Sequence, residues 1–417
     1  MKNITYKLFS FLISLLFIFP ILKENFSSII TIVLCLNTLL YAISKKDYKS
    51  FNAKALWLTI PFWIILFRSF FSDNYLESIN HISHSLFFLI IPITFFAIPK
   101  EFFRFDKINL YLFVLKNVCL IIALIYVICF LINVPAWKYE IVSQNISVFR
   151  DYVYSDFKIF VIHPTYYTSI LILCSAHSLE LVLNKKKYYE IIYVLVFVTI
   201  TFLLLTRLNM MLLLATLLYI LLFRNKLSIA KKWSVFVAGL CVVGALVYLT
   251  PGIRERFVEI YSSFNAKPKD AAYDSTNVRK AIFDSSVAIA KENWVFGVGF
   301  ENLQDKLNDI YKQNYDSSFY TEKNYMTHNY FFYIFLSSGI IGLLFYLFYV
   351  VNIIKICIKS NMFLFKVFLI NVLIVCFIED FFYRHYGILY FNLLLLCFIR
   401  YSENLSNEKQ AEKINLN

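Results

Sequence analysis

His328 and Asn329 head the run YFFYIFLSSGIIGL, which is otherwise almost wholly apolar. An unperturbed histidine titrates at about 6.5, so such a residue can take up or release a proton near neutral pH. Arginines are the second chemical resource. Arg207 interrupts the apolar stretch 188–223, and Arg279 lies at the start of VRKAIFDSSVAIAKENW. A planar guanidinium fork matches phosphate oxygens two at a time, so these residues suit a phosphate or pyrophosphate ligand. His163 in VIHPTYYTS and Arg68 in ILFRSFF are further candidates for the same cavity, with His81, His84, Glu379, Asp380, Arg384 and His385 nearby in sidedness.

Plainer readings stand beside these. An Arg or His within a turn of a membrane boundary can simply snorkel to headgroups, and both readings stay open for Arg68, His81, His84, Arg384 and His385. His177, in CSAHSLE, reads as a buried, hydrogen-bonded histidine. Gly297-Val298-Gly299 reads as a turn, because no strand precedes it and no G-K-[ST] follows. The eight cysteines are scattered through apolar runs without a C-x-x-C pair, as small apolar residues are. Asn329, at a helix start, can cap backbone amides rather than touch a ligand.

The elements that position these residues follow from composition. Hydrophobic residues make up 60% of 417 and charged residues 16%, with a mean hydropathy of +0.66. A soluble domain carries about 45–50% apolar and about 25% charged residues. The apolar residues fall in blocks near the roughly 20 that cross a hydrocarbon core. They occupy 8–22, 26–43, 55–71, 82–98, 109–132, 159–183, 188–205, 208–223, 233–250, 328–354, 362–380 and 384–400, which predicts twelve spans. The first block lacks a small-residue cleavage site and is kept as a helix rather than a signal peptide.

Basic residues alternate with these spans. Lys2, Lys7, Lys45, Lys46, Lys49, Lys100, Arg104, Lys185 to Lys187, Arg224, Lys231, Lys355 and Lys359 fall on one set of connections, whereas the short connections on the other side are poor in base. The positive-inside rule then places both termini in the cytoplasm. The net charge of +13 is largely topogenic and calls for no nucleic-acid partner. The predicted layout is spans one to nine within 1–250, one large outer loop at 251–327, spans ten to twelve within 328–400, and a cytoplasmic tail at 401–417. Val278, Ile282, Ile289 and Trp294 line roughly one side of an amphipathic helix in the loop. No Ser-His-Asp spacing, H-E-x-x-H or D-x-D marks a nucleotide-sugar or metal site, which argues for a donor already carried on lipid.

The chain resembles the O-antigen ligase and O-antigen polymerase superfamily of bacterial envelope glycosyltransferases. The resemblance covers the whole architecture and is most specific toward the C-terminus. There the family tends to show an Arg before an amphipathic helix, then Trp and G-x-G, then H-N opening a helix with G-x-x-G-L. These match Arg279, Trp294, Gly297, Gly299, His328, Asn329, Gly339, Gly342 and Leu343. Thr206-Arg207 and His163-Pro164-Thr165 match two further family features. Ser338 stands where an acidic residue often precedes the first glycine, a departure from the pattern.

The resemblance implies an all-α integral membrane protein, GT-C-like, in the bacterial inner membrane with its site facing the periplasm. It implies metal-independent transfer of a glycan from undecaprenyl diphosphate to a hydroxyl of lipid A core or of a second lipid-linked glycan. No cofactor or metal is expected. On this reading Arg207 and Arg279 hold the diphosphate and His328 is the general base, kept neutral by nearby arginine charge. His163, Arg68 and Asn329 are the possible acceptor or cavity residues. Gly339 and Gly342 let a neighbouring helix pack closely behind His328. A transporter or flippase of lipid-linked sugars is the alternative, disfavoured because no internal repeat and few broken helices are visible. The topology has a direct test: reporter fusions at Lys187 and Lys269 should give opposite compartment signals, and identical signals would overturn the layout.

Overall fold

In lipid a backbone must satisfy its own hydrogen bonds, so long apolar blocks become helices. The computed structural model describes residues 2–45, 53–135, 147–224, 275–315 and 324–415, with scattered positions between 228 and 244. No strand occurs among the described residues. The principal helices are α1 (Lys2–Leu16), α2 (Glu24–Lys45), α3 (Ile60–Ser69), α4 (Tyr75–Ser85), α5 (Phe87–Ala97) and α6 (Phe105–Asn133). They continue with α7 (Pro164–Lys185), α8 (Glu190–Leu203), α9 (Arg207–Phe223), α10 (Ser275–Asn293) and α11 (Leu303–Asn314). The last three are α12 (Tyr330–Ser360), α13 (Phe363–Cys376) and α14 (His385–Asn415).

Among the described residues five helical stretches are long and apolar enough to cross a bilayer: Glu24–Lys45, Tyr75–Ala97, Phe105–Asn133, Pro164–Lys185 and Tyr330–Ser360. Shorter apolar helices, α8, α9 and α13 among them, accompany these. The chain is therefore an all-α membrane protein. Twelve spans is a finer statement than these helices make, and most of the ninth run and the first part of the 251–327 loop lie outside the described residues. The break expected near Arg207 falls at Leu204–Thr206, where Leu205 takes a left-handed φ of 49° between α8 and α9. Helix α14 extends as far as Asn415.

The chain divides into two compact units. The first comprises residues 1–13, 28–108 and 261–417. Its centre is α14, whose residues 385–400 are all buried, as an all-round apolar helix must be. Arg400 at the end of that stretch donates to the Ile98 carbonyl at 2.9 Å and to Glu403 at 3.0 Å, with its guanidinium over Phe96. The second unit comprises 14–27 and 109–260 and is built around α7, buried from Tyr166 to Leu179. Lys116 of α6 and Glu190 of α8 form a fully buried ion pair there, and the Ser178 hydroxyl of α7 donates to the same carboxylate at 2.8 Å. His177 is hydrogen-bonded to Asn109 at 3.2 Å. The seven described cysteines are free thiols.

The element that matters most for the site is a break inside α12. Gly339 has φ 66° and ψ −169°, outside helical space. The Ile340 N–H, whose helical partner would be the Leu336 carbonyl, donates to the Trp294 carbonyl at 2.8 Å. In exchange, the Val298 and Gly299 amides donate to the carbonyls of Leu336 (2.8 Å) and Ser337 (3.0 Å). Groups released by the break are thus paired by Trp294, Val298 and Gly299, as buried backbone requires. The fit leaves no room for side chains. A Cβ on Gly339 would lie 2.0 Å from the Val295 carbonyl oxygen, and one on Gly297 would lie 2.5 Å from the Ser337 backbone. Close packing at Gly342 is against the Ser338 side chain and, at 3.3 Å, Ile64 of α3.

Gly339→Ala should therefore destabilise the fold by at least the roughly 1–3 kcal/mol that a strained φ costs, since backbone clash is added to it. A clear drop in thermal midpoint of the detergent-purified variant is expected, and an unchanged midpoint would remove the break from its structural role.

Candidate functional site

The site is assembled from α10, the residues that open α12, and the 377–384 connection between α13 and α14. Asn329 is the N-cap of α12, its side-chain oxygen accepting from the amides of Phe331 (3.0 Å) and Phe332 (3.1 Å). The capping role is thus the one its geometry displays. One residue earlier His328 has φ 45°, a left-handed conformation costly for a residue with a Cβ. Asp380 holds it there. Its buried carboxylate accepts from the His328 amide at 2.8 Å, the Asn329 amide at 3.2 Å and the Thr327 hydroxyl. Burial pushes the Asp380 carboxyl above its ordinary pKa, while the Thr327 hydroxyl and His328 pull against that rise.

The strained backbone turns the imidazole toward the adjacent carboxylate. His328 Nδ1 lies 3.1 Å from Glu379 Oε2, and Arg279 Nη2 lies 3.4 Å from Glu379 Oε1. Glu379 thereby bridges the two residues singled out in the sequence, with all three side chains partly open to solvent. Fixing Nδ1 leaves Nε2 as the second reactive atom, and it has no hydrogen bond among the described residues. A carboxylate on one ring nitrogen sets the tautomer and favours a proton arriving at the other.

This corrects one expectation, that arginine charge holds His328 neutral. Burial does disfavour its charged form, but the hydrogen bond and charge of Glu379, aided by Asp380, outweigh burial and Arg279. The net result is a pKa above the ordinary histidine value. In the sequence Glu379 and Asp380 are visible only as an acidic pair in a connection. The available signal is the cost of placing two carboxylates beside membrane helices.

The remaining candidates are placed as follows. Arg68, in the last turn of α3, donates to the Phe71 carbonyl at 3.3 Å. His163 caps α7, its Nδ1 accepting from the Thr165 amide at 3.3 Å, and Arg207 is the first residue of α9. Both belong to the second unit. There Asn209 donates to the Thr165 carbonyl at 2.9 Å and the Thr168 hydroxyl at 2.6 Å, so the starts of α7 and α9 lie side by side. Ser338, the departure from the family pattern, returns its hydroxyl to the Ile334 carbonyl at 2.7 Å. Among the described residues no three His, Cys, Asp or Glu side chains gather as a metal would require.

Fold and site together define a polytopic membrane protein that presents a basic histidine and an arginine on a shared carboxylate. Residues 192–347 match the family model described as O-antigen ligase. That span includes Arg207, Arg279 and His328, and the match supports the O-antigen ligase and polymerase superfamily. The match supports a membrane glycosyltransferase function of the ligase or polymerase kind. The chain has no match among curated proteins.

The Glu379 contact is measurable without turnover. The rate at which an acylating reagent such as diethylpyrocarbonate modifies His328 should rise with pH through a midpoint above about 6.5. In Glu379→Gln that midpoint should fall. Identical midpoints in the two proteins would detach Glu379 from the imidazole.

Proposed function

We propose that the protein transfers a glycan from undecaprenyl diphosphate to an acceptor hydroxyl at the periplasmic face of the inner membrane, without a metal. The acceptor is a lipid A core sugar or a second lipid-linked glycan. The observation that carries this reading is the His328–Glu379–Arg279 arrangement inside a chain that matches the O-antigen ligase family model. The accompanying layout has twelve spans, cytoplasmic termini, a periplasmic loop over 251–327 and a tail from 401.

The chemistry asks for two things. A diphosphate leaving group already carries stabilised charge, so cations on its oxygens and a base on the attacking hydroxyl suffice. His328 Nε2 takes the hydroxyl proton as the oxygen attacks the anomeric carbon and the bond from that carbon to the diphosphate oxygen breaks. Glu379, on Nδ1, stabilises the imidazolium that forms. Arg279 binds the departing diphosphate. Arg207 is assigned the same ligand from its position at a helix start, and His163, Arg68 and Asn329 serve the cavity or its backbone.

General-base action by a positioned side chain contributes typically about 10²–10⁴-fold in rate. His328→Ala should lose transfer by that order in purified protein while still binding lipid-linked donor. His328→Gln separates roles, because glutamine hydrogen-bonds but takes no proton at neutral pH; near-full activity would leave only positioning. Because the base works deprotonated and its pKa is raised, activity should climb with pH through a value above the ordinary histidine range. Glu379→Gln should move that limb to lower pH. Arg279→Lys and Arg207→Lys keep charge but lose the planar fork, so transfer should fall severely with expression intact. Unchanged activity in both lysine variants, or absence of any new glycosidic bond in the wild-type assay, would overturn the reading, the latter in favour of a flippase.

A further inference from the structure

The break in α12 also marks a level in the bilayer. The 31 residues of α12 would extend roughly 46 Å at 1.5 Å per residue, well beyond a hydrocarbon core of about 30 Å. Its large exposed apolar side chains begin only after the break, at Ile341, and continue through Leu344, Phe345 and Phe348 to Ile358. From Ile341 to Ile358 is roughly 27 Å of helix, close to the hydrocarbon thickness. Gly339 therefore stands where the exposed apolar face of α12 begins, and Tyr330 to Ser338 precede it.

Beside the break the structure exposes aromatic rings that no packing explains. Trp294 is 57% exposed and Phe296 is 70% exposed. Their backbones lie against the break, through the Ile340 amide on the Trp294 carbonyl and the close approach of Phe296 N to Gly339. A second element repeats the pattern. Ile64 of α3 meets α12 at Gly342, and within two turns of Ile64 the chain exposes Phe67, Phe70 and Phe71, each by about 70%. Rings of this kind concentrate where hydrocarbon meets headgroups. The backbone that carries Trp294 and Phe296 lies against the break where the exposed apolar stripe of α12 begins, which points to lipid as what covers the rings.

We propose that Trp294 and Phe296 seat the segment between α10 and α11 on the bilayer surface, inserting at the headgroup boundary and fixing the height of α10 above the lipid. The partner is the membrane lipid itself. This assignment depends on the membrane nature of the chain and not on the transfer reaction, so the two stand or fall separately. The interfacial rings also serve the site, because α10 carries Arg279 and a seat on the lipid holds that arginine at a fixed distance from headgroup phosphates.

The test places the photoreactive residue p-benzoyl-phenylalanine at 294, at 296 and, for reference, at Lys312 on the exposed polar face of α11. The substitution preserves aromatic bulk, so folding is not put at stake. The full-length protein is irradiated in nanodiscs of phosphatidylethanolamine and phosphatidylglycerol with no prenyl lipid added, and adducts are read by mass spectrometry. Phospholipid adducts at 294 and 296 with none at 312 are the expected result. Three outcomes would overturn the proposal: adducts to a second copy of the chain, equal labelling at all three positions, or labelling at 294 and 296 only after a polyprenyl diphosphate is supplied. The last would mark a groove for a substrate chain.

Discussion

Three main-chain hydrogen bonds hold the rest of this arrangement in place. The carbonyls of Leu336 and Ser337 and the amide of Ile340 face the backbone of residues 294–299 across a break that only glycine can make. Without that exchange α12 would carry unpaired polar groups close to lipid, at several kcal/mol each. With it, the end of α10 is locked to the middle of α12. The remote consequence is chemical: α10 brings Arg279 to the end of α12 where His328 stands, and Glu379 closes the gap between them. A glycine pair that reads as a plain turn in the sequence acts here as a joint between α10 and α12.

Two neighbouring carboxylates then divide the work. Asp380 is buried and spends its oxygens on the Thr327 hydroxyl and on the amides of His328 and Asn329, a small anion-holding concavity of backbone N–H groups. It sets the left-handed turn at His328 through the backbone amides. Glu379 is partly exposed and spends its oxygens on the imidazole and the guanidinium. Exchanging the two residues would leave the backbone without its anchor and the imidazole without its partner. The position of each along the 377–384 connection is therefore as specific as its charge.

How much of this is legible in the sequence follows the same division. Helical class, membrane solvent and the candidacy of Arg279 and His328 can be read directly, because hydropathy, charge placement and side-chain chemistry are local properties. The Asn329 cap is legible as one of two readings, since helix starts select such residues. Glu379 is not assignable. Its role depends on Arg279, 100 residues earlier, and on His328, 51 residues earlier, meeting at one point, and nothing local encodes that meeting. The direction of the His328 shift escapes the sequence for the same reason: the arginines are visible there and the carboxylate's proximity is not. The Gly339 break reads as helix packing because a glycine in an apolar helix gives the same letter pattern whether it admits a side chain or a backbone.

A raised histidine pKa fits a base better than it first suggests. A stronger base pulls harder on the hydroxyl proton, and only the fraction left neutral at working pH is lost. The contact between Glu379 and Arg279 limits that loss without being tight. At 3.4 Å it is longer than the 2.7–2.9 Å typical of a charge-assisted pair, and the arginine side chain remains 46% exposed. Such a pair contributes little stability in solvent, so the guanidinium can turn its fork toward an anion at small cost. In the proposed reaction Glu379 would then lose a competing cation and gain hold of the imidazole. Binding of the anion and strengthening of the base would be one event, coupling arrival of the proposed donor to readiness of His328.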